Sequence, residues 1–104
     1  MAKHNLLGIA GESIACKYLM HKGYCIKDRN WRSGHKELDI VAIKDDVLVI
    51  IEVKTRRNSD FGNPEDAVDN RKIRRIVLAA DAYLKCKQID ATVRFDVITV
   101  VIGK

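Results

Sequence analysis

The sequence has few of the residues that mark several common classes of protein. It contains one proline and three cysteines, and the cysteines lack the Cys-x-x-Cys spacing of a zinc or redox site. No signal peptide and no apolar run long enough to cross a membrane is present, so we expect a cytoplasmic protein with reduced thiols and no membrane association. Neither a repeat nor a linker divides the chain, and we expect one domain spanning residues 1–104.

Charged and apolar side chains make up most of the sequence. Apolar residues account for 47% and charged residues for 32%, a composition typical of a folded domain with a core and not of a disordered chain. Lysine and arginine outnumber the acids by 19 to 14, which gives a net charge of +5. This excess favours a polyanionic partner such as nucleic acid, although many proteins of similar charge bind none.

Two apolar segments in residues 36–56 flank a predicted turn at Asp45 and Asp46. Aspartate is common in tight hairpin turns. A two-residue turn pairs residue 44 with residue 47, and this register places Asp39 opposite Glu52. The segment from Val47 onward is apolar enough to be a central strand that is covered on both faces.

Four charged side chains share one face of this predicted hairpin, because side chains alternate between faces along a strand. They are Glu37, Asp39, Glu52 and Lys54, and they lie at the end of an apolar surface formed by Val41, Ile43, Leu48 and Ile50. The register turns the even-numbered residues of the first strand to the other face, together with Ile51 and Val53. Lys36, Leu38 and Ile40 are therefore expected to point away from the acids.

Charge at this position is costly unless it is paired or bound to metal. An ion pair between Glu37 and Lys54 would be a structural explanation for two of the four charges. It leaves Asp39 against Glu52, and two carboxylates repel unless a cation or a proton joins them. The pattern therefore favours a metal or catalytic site, although the Glu-Val-Lys triplet by itself is a weak motif.

A further acid, Glu12, lies in a helix predicted over residues 5–22 with Gly23 as its C-cap. Apolar residues three positions before, four after and seven after Glu12 place it inside the buried stripe. Glu12 is then either a buried acid satisfied by backbone donors or an arginine, or a fourth acid of the hairpin site. Gly8 and Gly11 would permit close approach to a neighbouring element.

The remaining elements complete a mixed sheet flanked by helices, in the order αβββαβ. Residues 24–31 are predicted to form an edge strand, and residues 92–102 a strand that is either internal or paired across a subunit interface. A second helix is predicted to begin at Asn63 and Pro64, with a break near Asp69, and to end near Lys87. Its predicted buried stripe consists of Ile73, Ile76, Val77, Ala80 and Leu84.

Basic residues surround the acidic strands. Those that could contact nucleic acid are Arg32, Lys36, Arg56, Arg57, Arg71, Lys72 and Arg75. Such residues either bind phosphates without reading sequence or form an ordinary solvated face, and the sequence leaves both readings open. Trp31, next to the basic turn at residues 32–36, similarly either stacks on a base or anchors the turn.

Six motifs follow one another along the chain: Glu12, Lys36-Glu37-Leu38-Asp39, Glu52-Val53-Lys54-Thr55-Arg56, Phe61-Gly62-Asn63-Pro64, Lys72 and Arg94-Phe95-Asp96. Together they resemble the YraN-like family of small uncharacterised bacterial proteins over nearly the whole chain. That family is similar to a branch of the PD-(D/E)xK nucleases, which have a restriction-endonuclease-like fold, and most of all to archaeal Holliday junction resolvases. This chain departs from the pattern in having Lys36 where the family usually has glycine, and Leu38 where the superfamily has proline.

The resemblance implies that Asp39 and Glu52 are metal ligands, that Lys54 is the catalytic lysine and that Glu12 is an accessory acid. Hard oxygen ligands suit Mg²⁺, for which Mn²⁺ is a common substitute, and the carbonyl of Val53 is a candidate third ligand. Glu37 would hold waters around the metal or position the lysine.

These assignments describe a Mg²⁺-dependent endonuclease that hydrolyses nucleic acid. DNA is the expected partner and branched or structured DNA one candidate substrate, while the sequence leaves DNA or RNA, branched or linear, open. A homodimer would suit cleavage of two strands. The main alternative is a nucleic-acid-binding or assembly module that retains the fold without turnover, because fold does not fix function. An enzyme acting on another phosphate ester is a third reading.

Overall fold

The computed structural model describes residues 6–58 and 69–103. Its elements are α1 (Leu6–His21), β1 (Cys25–Ser33), β2 (Lys36–Lys44), β3 (Val47–Arg57), α2 (Asn70–Lys87) and β4 (Thr92–Ile102). The strands form one sheet in the order β1-β2-β3-β4, in which β4 runs parallel to β3 and the other neighbours are antiparallel. The predicted order αβββαβ and the mixed α/β sheet are confirmed, and they are consistent with the restriction-endonuclease-like class.

The hairpin of β2 and β3 has the predicted register. Both turn residues, Asp45 and Asp46, have positive φ angles of 52° and 65°, as a two-residue turn matched to the twist of the strands requires. The residues on either side of the turn pair with each other, and the ladder ends at Ile40 and Ile51. The turn therefore fixes which residues of the hairpin face each helix.

The sheet is covered on both faces by separate halves of the core. On the α1 side the buried residues are Ala15, Cys16, Leu19, Ile40, Ala42, Val49, Ile51 and Val100. On the α2 side they are Leu38, Val41, Leu48, Ile50, Ala79, Ala80 and Tyr83. Since β2 and β3 contribute to both halves, the prediction of a central strand that is covered on both faces is confirmed.

Leu38 and Lys36 do not follow the predicted alternation of β2. Leu38 packs on the α2 side together with Val41, and Lys36 lines a cavity on that same side. The prediction that both point away from the acidic face was wrong, because the ladder that holds β2 against β3 ends at Ile40. Beyond that point β2 pairs only with β1, whose Asn30 has a positive φ of 52°.

Helix α1 ends as predicted and packs closely on β3. Gly23 has a φ of 94°, and the backbone N–H of Tyr24 donates to the carbonyl of Leu19 at 2.9 Å, which closes the helix with a glycine cap. A Cβ atom added to Gly11 would lie 2.6 Å from Cγ2 of Thr55, so the close approach expected of a glycine occurs here. Ile9, by contrast, is 48% exposed and lies outside the buried stripe.

Helix α2 is capped by Asp69, whose side chain accepts a hydrogen bond from the backbone N–H of Lys72 at 2.8 Å. Its end at Lys87 agrees with the prediction, whereas the predicted start at Asn63 and Pro64 lies outside the described residues. Neither of the helices in the described ranges is long and apolar enough to span a bilayer.

The buried face of α2 agrees with the predicted stripe in part, since Ala80 is buried and Ile76 and Leu84 pack against the core. Ala79, Ala80 and Tyr83 are buried, while Ile73 and Val77 are 46% and 45% exposed. The Tyr83 hydroxyl donates to Asp28 at 2.6 Å, and its ring meets that of Trp31 edge-to-face with centroids 5.1 Å apart. These contacts fix the rotation of the helix. They also make Trp31 an anchoring aromatic within the fold.

Candidate active site

Asp39 lies where β2 and β3 separate. The regular ladder between the two strands ends at the neighbouring pair, Ile40 and Ile51. Beyond this pair the backbone N–H of Val53 donates to Oδ2 of Asp39 at 2.9 Å. A carboxylate thus takes the place of the strand carbonyl that would otherwise satisfy this partly buried N–H. The bond fixes the Asp39 carboxylate at the point where the two strands open.

A cavity of about 410 Å³ opens at this separation, between the end of the hairpin and α2. Its lining includes the acids Glu37, Asp39 and Glu52 and the basic residues His35, Lys36, Lys72 and Arg75, with Ile76 and Leu78. The structure therefore brings together the three carboxylates that the hairpin register placed on one face. His35 is close enough to the acidic strand in sequence to be a candidate proton carrier, although a lone loop histidine is more often incidental, and the structure places it in the cavity lining.

The environment of Asp39 opposes its ionisation. Burial, followed by the negative charge of Glu52, raises the pKa of Asp39 to about 6, although the hydrogen bond from Val53 works in the opposite direction. A carboxyl with this pKa is ionised at neutral pH at a cost in free energy. A cation bound next to Asp39 would relieve this cost.

Two lysines lie next to Glu52. Nζ of Lys72 is 2.8 Å from Oε2 of Glu52, and the side chains of Lys72 and Lys54 are close enough to share a hydrogen bond. That hydrogen bond from Lys72, together with burial, lowers the pKa of Lys54. Burial has the largest single effect on the pKa of Lys72 and lowers it, but the hydrogen bonds to Glu52 and Lys54 and the negative charges of Glu52 and Asp39 together raise that pKa. Lys72, predicted as a phosphate contact, thus lies within the acidic site.

Glu12 is buried as predicted, with 7% of its surface exposed, and it has polar partners on β1. Its Oε1 accepts a hydrogen bond from Nδ2 of Asn30 at 2.7 Å and lies 3.5 Å from Nη2 of Arg29. Of the two readings of Glu12, its contacts match the acid satisfied by an arginine, although its charge also contributes to the raised pKa of Asp39. No pattern in the sequence predicted the contact with Asn30, because polar residues are common in edge strands.

The other predicted phosphate contacts lie at different distances from the cavity. Arg32 pairs with Glu37 at 3.6 Å and so belongs to its rim. Arg71 is exposed in the first turn of α2. Arg56 and Arg57 are the last residues of β3, where they pair with the end of β4, and they are not part of the cavity lining.

Asp39 and Glu52 suit a hard divalent cation that takes most of its ligands from water and substrate. Among residues 6–58 and 69–103, no group of three or more His, Cys, Asp or Glu side chains forms a ready-made metal cluster. Asp39 and Glu52 nevertheless repel each other across one cavity. One or two carboxylates, completed by water and substrate phosphate, is the ligand set that Mg²⁺ uses in phosphate-processing sites.

Comparison with known proteins shows similarity along nearly the whole chain. The family model described as "Uncharacterised protein family UPF0102" matches residues 11–100. A UPF0102 protein of Bacteroides thetaiotaomicron is 62% identical over 101 residues, which cover 97% of this chain and 84% of that protein. A UPF0102 protein of Porphyromonas gingivalis is 51% identical over 103 residues, covering 99% of this chain and 76% of that protein. For UPF0102 protein FP2501 of Flavobacterium psychrophilum the identity is 45% over 100 residues, with coverages of 96% and 84%.

Proposed function

We propose that this chain, which belongs to the uncharacterised protein family UPF0102, is a Mg²⁺-dependent endonuclease. The predicted resemblance to the YraN-like family is confirmed by these matches, and the activity is our inference from the site. The observation that carries it is the meeting of Asp39 and Glu52 in one cavity beside Lys54 and Lys72. Two carboxylates next to ammonium groups at the open end of a hairpin suit hydrolysis of a phosphodiester.

Asp39 and Glu52 would hold the metal ion. When bound, Mg²⁺ supplies a Lewis acid for the phosphate and lowers the pKa of water. The Asp39 carboxylate is oriented before a metal ion binds, because the Val53 N–H donates a hydrogen bond to it. Burial keeps that carboxylate in a medium where attraction to a cation is strong. Glu37, which lines the same cavity, would hold surrounding water.

The two lysines would stabilise the negative charge that develops on the phosphate. Lys54 has a lowered pKa next to Lys72, so it can orient the attacking water and gives up a proton more readily than an ordinary lysine. Lys72 neutralises Glu52 at 2.8 Å. With Glu52 as a metal ligand, the Lys72 ammonium would be free to contact a phosphate oxygen in the same cavity.

The substrate of the proposed enzyme is nucleic acid, with branched or structured DNA as the first class to examine. Lys36, Arg75 and His35 line the cavity, and Arg32 lies at its rim. Such groups bind the phosphate backbone and carry no sequence information. We therefore expect selectivity to follow the shape of the nucleic acid.

A nucleic-acid-binding module without turnover is the second candidate, and the Glu52–Lys72 ion pair favours it. An ammonium 2.8 Å from the carboxylate already supplies the positive charge that a metal would bring. If this pair persists in the presence of Mg²⁺, the cavity serves only to hold phosphate groups.

The deciding experiment is cleavage of a labelled panel of single-stranded, duplex, flapped and four-way-junction DNA, together with RNA. Wild type and Asp39→Asn are compared in Mg²⁺ and then in Mn²⁺, after circular dichroism shows that both are folded. Asp46→Asn, in the exposed hairpin turn, controls for the loss of one carboxylate elsewhere.

Cleavage by wild type and by Asp46→Asn, but not by Asp39→Asn, would establish the nuclease and identify its substrate. Equal, salt-dependent binding by all three proteins without any cleavage would reject the enzyme and support the binding module.

A further inference from the structure

Strand β4 forms an edge of the sheet with much of its surface uncovered. In the part of the chain that the structure describes, β4 pairs only with β3. Phe95, Val97 and Val101 are 46%, 52% and 46% exposed. The strand is 11 residues long and contains neither proline nor lysine, which are residues that commonly protect an edge from pairing with another chain. Its outer side therefore offers backbone groups for a further strand.

Apolar surface continues from this edge onto α2. The rotation of the helix leaves Ile73 and Val77 about as exposed as Phe95, at 46% and 45%. They line a second cavity, of about 300 Å³, between the helix and the strand, together with four apolar residues (Ile50, Ile76, Phe95 and Val97) and two acids (Glu52 and Asp96). Contiguous apolar surface of this kind is typical of a protein interface, and an apolar occupant would be favoured.

The charged residues of β4 favour a second copy of the chain as that occupant. Arg94 and Asp96 are two positions apart and pair with each other, with Nη2 and Oδ2 separated by 2.9 Å. If two β4 strands meet antiparallel about Phe95, each Arg94 lies opposite Asp96 of the partner subunit. An axis at Arg94 or at Asp96 would instead place like charges opposite each other, which destabilises a strand pair. The strand is thus complementary to itself in one register.

We propose that the chain forms a homodimer through antiparallel pairing of β4 with its counterpart, about a twofold axis at Phe95. Residues 92–98 of the two copies pair and join the two four-stranded sheets into one. The two Phe95 side chains meet at the axis, and Val93 lies opposite Val97 of the partner subunit. An isologous contact of this kind closes on itself and leaves no free edge at β4.

Such a dimer would place both acidic cavities on the same side of the joined sheet, because its axis is perpendicular to the sheet. Glu52 is paired with Val97, two residues from the axis. With strands ~4.8 Å apart and a rise of ~3.3 Å per residue, the two Glu52 positions are about 20 Å apart. This consequence for cleavage of two strands rests on the proposed function, whereas the interface does not.

Charge exchange tests the register. Sedimentation and light scattering should give twice the mass of one chain for wild type. Arg94→Asp and Asp96→Arg should each be monomeric, because each places like charges opposite each other in a dimer of identical chains. An equimolar mixture of the two variants should form a heterodimer. The double variant Arg94→Asp/Asp96→Arg should form a homodimer. Recovery in these pairings would show that loss of the dimer is not a folding defect.

Cross-linking tests the position of the axis. Residues directly opposite in an antiparallel pair have Cα atoms ~4.5–5.5 Å apart, within the range of a disulfide. In a background lacking the exposed cysteines (Cys25→Ser, Cys86→Ser), Phe95→Cys should form a disulfide-linked dimer on mild oxidation. Thr99→Cys, an exposed control on the same strand, should not. A monomeric wild type, a dimer that survives either single charge change, or equal cross-linking at both positions would each overturn the proposal.

Discussion

Lys72 on α2 and Glu52 on β3 form an ion pair of 2.8 Å inside the candidate active site. The pair neutralises one of the two carboxylates that face each other there, while Asp39 keeps a pKa raised to about 6 by burial and by Glu52. The helix and the hairpin are therefore joined by the same charges that would take part in phosphate chemistry. Changes at these residues should alter stability and metal binding together.

Replacing Lys72 with methionine should destabilise the protein at neutral pH. The change leaves Glu52, whose side chain is 16% exposed, without its ammonium partner and opposite Asp39. We expect a loss of about 1–3 kcal/mol in the free energy of unfolding, measured by urea denaturation without divalent metal. Arg74→Met, at an exposed position of the same helix, should change it by less than about 0.5 kcal/mol. Equal losses for both variants would contradict the importance of the ion pair.

Replacing Asp39 with asparagine should stabilise the protein at neutral pH. The pKa of Asp39 is about 6 in the folded chain and ~3.9 in an unfolded one, so the folded state binds the proton more tightly. The cost of the charge is fully present above pH ~6 and disappears as the pH falls below ~4. Asparagine keeps an acceptor for Val53, and we expect a gain of about 1–3 kcal/mol near pH ~7 and almost none near pH ~4.

The same variant separates metal binding from catalysis. Mg²⁺ should raise the melting temperature of wild type, because a ligand that binds only the folded state stabilises it. It should raise that of Asp39→Asn much less. An equal rise in the two proteins would place the metal elsewhere, and a pH-independent difference in stability between them would contradict the raised pKa.

Replacing Gly11 with alanine should destabilise the contact between α1 and β3. Alanine favours a helix by about 1 kcal/mol over glycine, but the added Cβ would lie 2.6 Å from Cγ2 of Thr55. We expect the overlap to dominate, with a net loss of about 1–3 kcal/mol in chemical denaturation. A double-mutant cycle with Thr55→Gly should show strong coupling. Additive effects would mean that Thr55 is not the obstacle.

Replacing Tyr83 with phenylalanine should test the contact that sets the rotation of α2. Burial and the hydrogen bond to Asp28 raise the pKa of Tyr83, so its hydroxyl remains a donor. Losing this 2.6 Å bond should cost about 1–2 kcal/mol, moderated by Nζ of Lys87, which lies 3.8 Å from the same carboxylate. Tyr18→Phe, at an exposed tyrosine, is the matched control and should be nearly neutral in the same unfolding measurement.

Features set by neighbouring residues could be predicted from the sequence. The turn at Asp45 and Asp46 fixed the register of the hairpin as far as Ile40 and Ile51, and the three acids predicted to share one face, Glu37, Asp39 and Glu52, line one cavity. The burial of Glu12 and the helix end at Gly23 followed from helical spacing and glycine geometry. Alternation failed at Leu38, beyond the last ladder pair, where β3 no longer constrains β2.

Contacts between distant elements could not be predicted. Helical periodicity shows that α2 has an apolar side but not how the helix is rotated against the sheet, and the contacts of Tyr83 with Asp28 and Trp31 decide that rotation. The sequence by itself determined the acidic hairpin, because turn chemistry and strand alternation act over a few residues. Only the tertiary structure decided that Lys72 neutralises Glu52 and that β4 lies at an edge, because both depend on how separate elements pack.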